Sequence, residues 1–214
     1  MEPKIRPAEI KDVPFIAWVE LQAARSHLPR GFWDIWLARP EAECLAFLEC
    51  LAQTSTRGMF HYSAFLVAEV DGRPAAGMCG YDDKERGGEL SFAASQEASR
   101  MSGYSDADFH AIADRITPVL TCISDPAPGA WIVENVATLP EFRRRGLADK
   151  LLQATLDIGR SRGYRVGQIS VMIGNTPAQR AYEKGGFKVA DEKRHPDFEK
   201  VVGEPGMRRM LREI

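Results

Sequence analysis

"WIVENVATLPEFRRRGLADKLL", residues 131–152, passes from an apolar run through a proline and three arginines into a glycine and a helical repeat. Residues 131–138 read as a strand, which Pro140 stops. From Gly146 onward Leu147, Leu151, Leu152, Thr155 and Ile158 recur at helical spacing, and Arg160, Arg162 and Gly163 supply last-turn cations and a C′ glycine. The far end of this helix obeys the macrodipole. The near end does not: a helix N-terminus carries roughly half a positive charge and unpaired N–H groups, yet Arg143, Arg144 and Arg145 add more cation there. A bound anion resolves the conflict. Small residues let it approach the backbone, amides bind it and guanidinium groups neutralise it, a combination that suits a diphosphate.

The rest of the chain confines that anion to a local site. Twenty-eight basic and thirty acidic side chains give a formal net charge of -2, which argues against a general nucleic-acid or membrane-surface binder. At 214 residues with 44% hydrophobic content the chain can bury one good core, so a single domain over residues 1–214 is expected. The first residues, MEPKIRPAEIKDVPF, hold no apolar stretch of signal-peptide length, and no run of about 18 apolar residues occurs anywhere, so a soluble cytoplasmic protein is expected. Cys44, Cys50, Cys79 and Cys122 show no C-x-x-C pairing and the four histidines no metal spacing; neither a disulfide framework nor a metal site is expected.

Working towards the N-terminus, "AFLVAEVDGRPAAGMCGY" (residues 64–81) is a hairpin turning at Asp71-Gly72. Residues 4–7 read as a strand and Asp12 opens a helix that ends near Ser26. Phe32, Trp33 and Trp36 lie in a stretch broken by Pro29, Gly31 and Pro40, which fits either a pocket lining or the cover of a core edge. A helix follows at 41–53. Residues 83–128 read as an inserted helical segment, with helices near 89–101 and 106–121. Beyond the long helix come a strand at 166–173 and a short helix to Lys184, with Thr176 as cap, Pro177 at the first position and Gln179 as capping-box partner. Two last strands begin at Phe187 and near 206, separated by a turn-rich stretch at 196–206.

No G-x-x-x-x-G-K-[ST] and no G-x-G-x-x-G after a strand is present, which removes the common nucleotide motifs. Arg143-Arg144-Arg145-Gly146-Leu147-Ala148 instead resembles the acyl-CoA-binding turn of the GNAT superfamily of N-acetyltransferases, a basic residue or Gln, then x-x-Gly-x-Gly/Ala. "NTPAQRAYEKGGF" at 175–187 resembles that superfamily's second signature. The resemblance is close over residues 130–194 and one of arrangement only before that. It implies an α+β fold with a mixed, mostly antiparallel twisted sheet of six to seven strands flanked by helices, and acetyl-CoA as co-substrate. It further implies that the strands at 131–138 and 166–173 splay apart around the pantetheine arm. Val136, Ala137 and Thr138 would bind that arm through their backbone, Arg143 to Ala148 the diphosphate, and Asn175 and Ala178 the cofactor beside Tyr182, which would point towards the thioester sulfur.

Acetyl transfer to an amine needs a neutral nucleophile, a stabilised oxyanion and a proton for the departing thiolate. Tyr182 is expected as the acid, since a phenol with pKa near ~10 is protonated at neutral pH and the thiol lies near ~8.5. Glu134 is expected as the base, because strand alternation puts it on the same face as Val136; it equally fits a simple partner for a neighbouring cation. The expected reaction is direct acetylation of a primary amine of a small molecule; a protein or peptide acceptor and a non-catalytic acyl-CoA sensor are the alternatives. The insertion at 83–128 is read as setting substrate choice, as a lid, or as the interface of a homodimer.

Overall fold

The computed structural model describes residues 2–214 and holds a seven-stranded sheet in the order β1-β2-β3-β4-β5-β7-β6. The strands are β1 (Lys4–Pro7), β2 (Phe65–Val70), β3 (Arg73–Asp82), β4 (Ala130–Thr138), β5 (Val166–Met172), β6 (Lys188–Arg194) and β7 (Gly206–Glu213). Among the described residues only β4 and β5 run parallel; every other neighbouring pair is antiparallel. This is the mostly antiparallel α+β sheet that the resemblance implied. The β2–β3 hairpin turns at Asp71 and Gly72 with φ of 52° and 77°, the two positive angles that match a tight turn to the twist of its strands.

Helices α1 (Val13–Arg25) and α7 (Leu147–Ser161) cover opposite faces. On the α7 face Leu147, Leu151, Leu152 and Leu156 pack against Trp131, Val133, Ile169 and Met210. On the α1 face Val13, Ile16 and Val19 meet Val67, Cys79, Tyr81 and Ile132. A third cluster lies beside the sheet among α1, α2 (Phe32–Leu37), α3 (Glu41–Leu51), α5 (Gly88–Met101), α6 (Asp106–Leu120) and α9 (Pro196–Val202). Its centre is aromatic: Trp33, Trp36, Phe47 and Phe109 are each buried, with Trp36 and Phe47 edge to face at 5.5 Å.

One open alternative is decided here and two expectations change. The stretch holding Phe32, Trp33 and Trp36 is a helix that covers core, because its aromatics have α3 and α6 to pack against. Residues 196–202 form α9 rather than turns, capped by His195 and buried through Phe198. The cap of α8 (Thr176–Lys184) is Asn175, whose Oδ1 accepts from the Ala178 amide at 3.1 Å, one residue earlier than Thr176. Gln179 instead bonds Glu183 and Arg208.

The 83–128 segment leaves β3 at Asp82 and returns where Trp131 pairs with that same residue, so it extends the β3–β4 hairpin. It carries α4 (Asp83–Arg86), α5 and α6. Phe109, Ile112, Ile116 and Val119 of α6 are buried in the aromatic cluster, which makes the insertion part of the core. All four cysteines are free, three of them buried. No helix of the described residues is long and apolar enough to cross a membrane, and no group of three or more metal-ligating side chains among them could hold a metal ion.

Candidate active site

β4 and β5 are paired only from Ala130↔Val166 to Val133↔Ile169. Beyond that point β5 continues to pair with β7 as far as Met172, while β4 follows β3, so the two strands part. The cause lies in β4: Cys79 pairs with Glu134 but Gly77 pairs with Ala137, which leaves one extra residue on β4. Asn135 absorbs it at φ 49°, a left-handed angle that asparagine tolerates better than most side chains. The bulge turns β4 away from β5 and leaves the strand's inner edge open.

The same bulge overturns the alternation argument for Glu134. Ile132 and Glu134 lie on the α1 face, but Val136 packs with Trp131 and Val133 on the α7 face, and Ala137 returns to the α1 side. Glu134 and Val136 therefore flank the opening from opposite faces. Glu134 makes no hydrogen bond to another described residue and is half-buried beside the opening, and burial lifts its carboxyl to about 7. Tyr182 projects from α8 beside Phe187, with ring centroids 6.5 Å apart. Burial, with the Glu134 charge as a second cause, pushes its phenol up to about 12. The Glu134 carboxyl and the Tyr182 phenol thus lie within electrostatic reach of one another. A residue the sequence reading missed stands nearby: Glu20 of α1 is fully buried with both carboxyl oxygens unpartnered, and burial drives its pKa well up. Its place in an apolar helix stripe gave no signal.

At the end of β4 the chain makes a short 3-10 turn (Pro140–Phe142) and reaches the arginines. Arg143, Arg144 and Arg145 are exposed, and their recorded hydrogen bonds go to main chain: Arg143 Nε donates to the Thr138 carbonyl at 3.3 Å and Arg145 to that of Glu141 at 3.0 Å. Among the described residues no carboxylate pairs with any of the three. Gly146 caps α7 at φ 73° and no side chain caps the helix, so its first amides stay open. A cavity of about 340 Å³ lies on this turn, lined among others by Thr138, Arg143, Arg144, Gly146, Ala148 and Lys184. Lys184, in the last turn of α8, escaped the sequence reading because tertiary packing alone brings it here; it pairs with Asp149 at 2.7 Å. Across that pair a second cavity of about 350 Å³ reaches Gln153 and Arg212.

The arrangement fits a long anionic thioester: an unneutralised cation cluster on an uncapped helix, an open strand edge leading from it, and a carboxyl and a phenol at the edge's far end. Asn175 is placed at the same end, but its side chain is occupied, since Oδ1 caps α8 and Nδ2 donates to Ser26 Oγ at 2.6 Å. Ala178 lies one turn into α8, partly buried on the α7 face with Tyr182.

Comparison with solved structures finds the same fold. An acetyltransferase superposes with a TM-score of 0.71 at 21% identity over 99% of both chains. An N-acetyltransferase from Staphylococcus aureus Mu50 gives 0.66 at 19%, covering 97% of this chain and 99% of its own. An agmatine N-acetyltransferase gives 0.55 at 14% over the whole of both chains. A search of curated proteins finds no match. The model of the acetyltransferase (GNAT) family matches residues 28–187, three-quarters of the sequence including Glu134, the arginine turn and Tyr182, and the chain belongs to that family of acetyl-CoA-dependent N-acetyltransferases.

Proposed function

We propose that this chain transfers the acetyl group of acetyl-CoA directly to a primary amine of a small molecule. The observation that carries this reading is the parting of β4 and β5 at the Asn135 bulge, with an uncapped arginine turn at one end and the Glu134–Tyr182 pair at the other. Arg143, Arg144, Arg145 and the open amides from Leu147 onward hold the diphosphate, and Lys184 extends the cation set. Val136, Ala137 and Thr138 offer backbone to the pantetheine arm. An amide near Val136 supports the oxyanion.

Glu134 takes a proton from the attacking nitrogen. A carboxyl at about 7 is matched to that task at neutral pH. Tyr182 supplies the proton for the leaving sulfur. At about 12 the phenol is a weak acid while Glu134 is charged, and neutralising Glu134 removes the charge that contributes to the shift. Base therefore acts before acid, and the leaving thiolate, desolvated in the same gap, gains basicity as well.

A compact acceptor is favoured over a polypeptide by a bridge beside the β5 end of the gap: His27, just beyond α1, bonds Glu204, between α9 and β7, at 2.9 Å. Thiol release measured over a library of primary amines tests the reading. Small amines that turn over faster than peptides with free N-termini or lysines are expected; turnover with peptides alone overturns the acceptor class, and no turnover with any amine overturns the reaction.

A further inference from the structure

Four side chains from three separate segments form one directed hydrogen-bonded row anchored at the N-cap of α8, the helix that carries Tyr182. Asn175 Nδ2 donates to Ser26 Oγ at 2.6 Å. Ser26 Oγ lies 3.3 Å from His27 Nδ1, and His27 Nε2 lies 2.9 Å from Glu204 Oε1. A carboxylate only accepts, so Nε2 carries the imidazole proton and Nδ1 presents its lone pair. With one Ser26 lone pair taken by Asn175, the hydroxyl proton is directed to Nδ1, and the second lone pair stays open.

The row is rigidly mounted. Ser26 is held at φ 58° and ψ −113°, a conformation strained for a non-glycine residue that persists only where its surroundings impose it. Arg25 before it is fixed to Asp34 at 2.7 Å and Glu41 at 2.6 Å, and so is committed away from His27. Asn175 is fixed by capping α8, the helix that carries Tyr182. Glu204 is the charged group facing His27 from the α9–β7 connection, and it packs against Gly174. The His27 side chain is 28% exposed, so the row ends within reach of water.

Acetylation of a protonated alkylamine needs such an outlet. An ammonium ion and the thioester yield an amide, a thiol and one free proton. The nitrogen loses one proton before it attacks and a second afterwards. Glu134 takes the second, Tyr182 gives one to the sulfur, and the two groups then restore each other. The first proton must leave for solvent by another path.

We infer that Ser26, His27 and Glu204 form the relay that deprotonates the incoming ammonium ion, with the Ser26 hydroxyl meeting the amine and His27 accepting the proton behind it. The ammonium N–H bond breaks as its proton passes to Ser26 Oγ, the Ser26 proton moves to His27 Nδ1, and the imidazolium is held by Glu204 until it yields the proton to water. The relay assigns the acceptor class: basic amines, protonated in solution.

The inference rests on the amine-acetylation reading, which wild-type turnover tests first. The decisive measurement compares kcat/KM for an alkylamine accepted by the wild type with that for its fluorinated analogue, which is already neutral at pH 7. His27→Ala is expected to lose roughly 100-fold with the alkylamine, within the usual range for proton transfer. With the fluorinated amine it should lose less than about threefold, because no first proton remains to be removed. Added imidazole should restore the alkylamine rate. Ser26→Gly, which takes the positive φ without strain, should show the same amine-dependent loss. Calorimetric affinity for acetyl-CoA should stay at the wild-type value in both variants. Equal losses with the two amines, no loss with either, or no rescue by imidazole overturns the relay while leaving the acetyltransferase reading intact; a wild type that acetylates no amine removes both.

Discussion

Glu134 and Tyr182 carry opposite halves of the proposed proton traffic, and their environments set the order. Because burial raises the Glu134 carboxyl from 4.5 to about 7, the group holds its proton through the acid range and becomes a base only above that point. The rate kcat/KM is therefore expected to rise tenfold per pH unit below about 7 and to level above it. Glu134→Gln should abolish this limb and cost on the order of 100-fold at pH 8, as a pH–rate profile would show. The stability consequence has the opposite sign. A carboxyl whose folded pKa exceeds its unfolded value stabilises the fold fully below about 4.5, and that contribution is lost as pH rises through 7. The wild type should lose stability relative to Glu134→Gln over that interval, and a flat difference between their denaturant midpoints would contradict it. Tyr182→Phe keeps the ring against Phe187 and removes only the phenol, so it should lower kcat with little change in acetyl-CoA affinity. A changed affinity with unchanged kcat would place the hydroxyl in binding instead.

At the scale of elements, the turn between β4 and α7 explains why a helix begins with three arginines. Each guanidinium is exposed and none has a carboxylate partner among the described residues, so their repulsion is relieved when a diphosphate is bound. Replacing Arg143 and Arg145 by alanine is expected to weaken acetyl-CoA binding by roughly two orders of magnitude while leaving kcat at saturation almost unchanged. Titration calorimetry at two salt concentrations would show the loss shrinking as salt screens the wild type. Gly146→Ala tests the backbone rather than the charge. The new Cβ meets nothing within 4 Å, so the cost comes from φ 73° alone, about 1 kcal/mol and a fall in Tm of about 2–4 °C. An unchanged Tm would mean that the turn relaxes freely.

For the whole molecule, the 83–128 segment has a structural part beyond the roles that the sequence suggests for it. Read from its polar stretches it suggests a lid or a substrate-selecting addition, yet α6 drives Phe109, Ile112 and Ile116 into the cluster built on Trp33, Trp36 and Phe47. Phe109→Ala is therefore expected to cost about 3–5 kcal/mol in denaturant unfolding, and a shortened chain joining Asp82 directly to Ala130 should fail to fold rather than acetylate a wider range of amines. A soluble, active shortened chain would show that α6 is dispensable to the core.

What residue order determined by itself was local. The hairpin at Asp71-Gly72, the arginine turn, the glycine that opens α7 and the sequence of strands and helices each depend on near neighbours, so periodicity, turn chemistry and charge at helix ends expose them. The resemblance of residues 143–148 and 175–187 to one family rests on the same local chemistry. The tertiary structure alone decided where chain order crosses itself: the bulge at Asn135 that puts Val136 on the face opposite Glu134, the arrival of Lys184 at the anion cavity, the burial of Glu20, and the meeting of Ser26, His27, Asn175 and Glu204. Those depend on residues far apart in the chain competing for the same space and the same hydrogen bonds, and such competition leaves no periodic trace in the sequence.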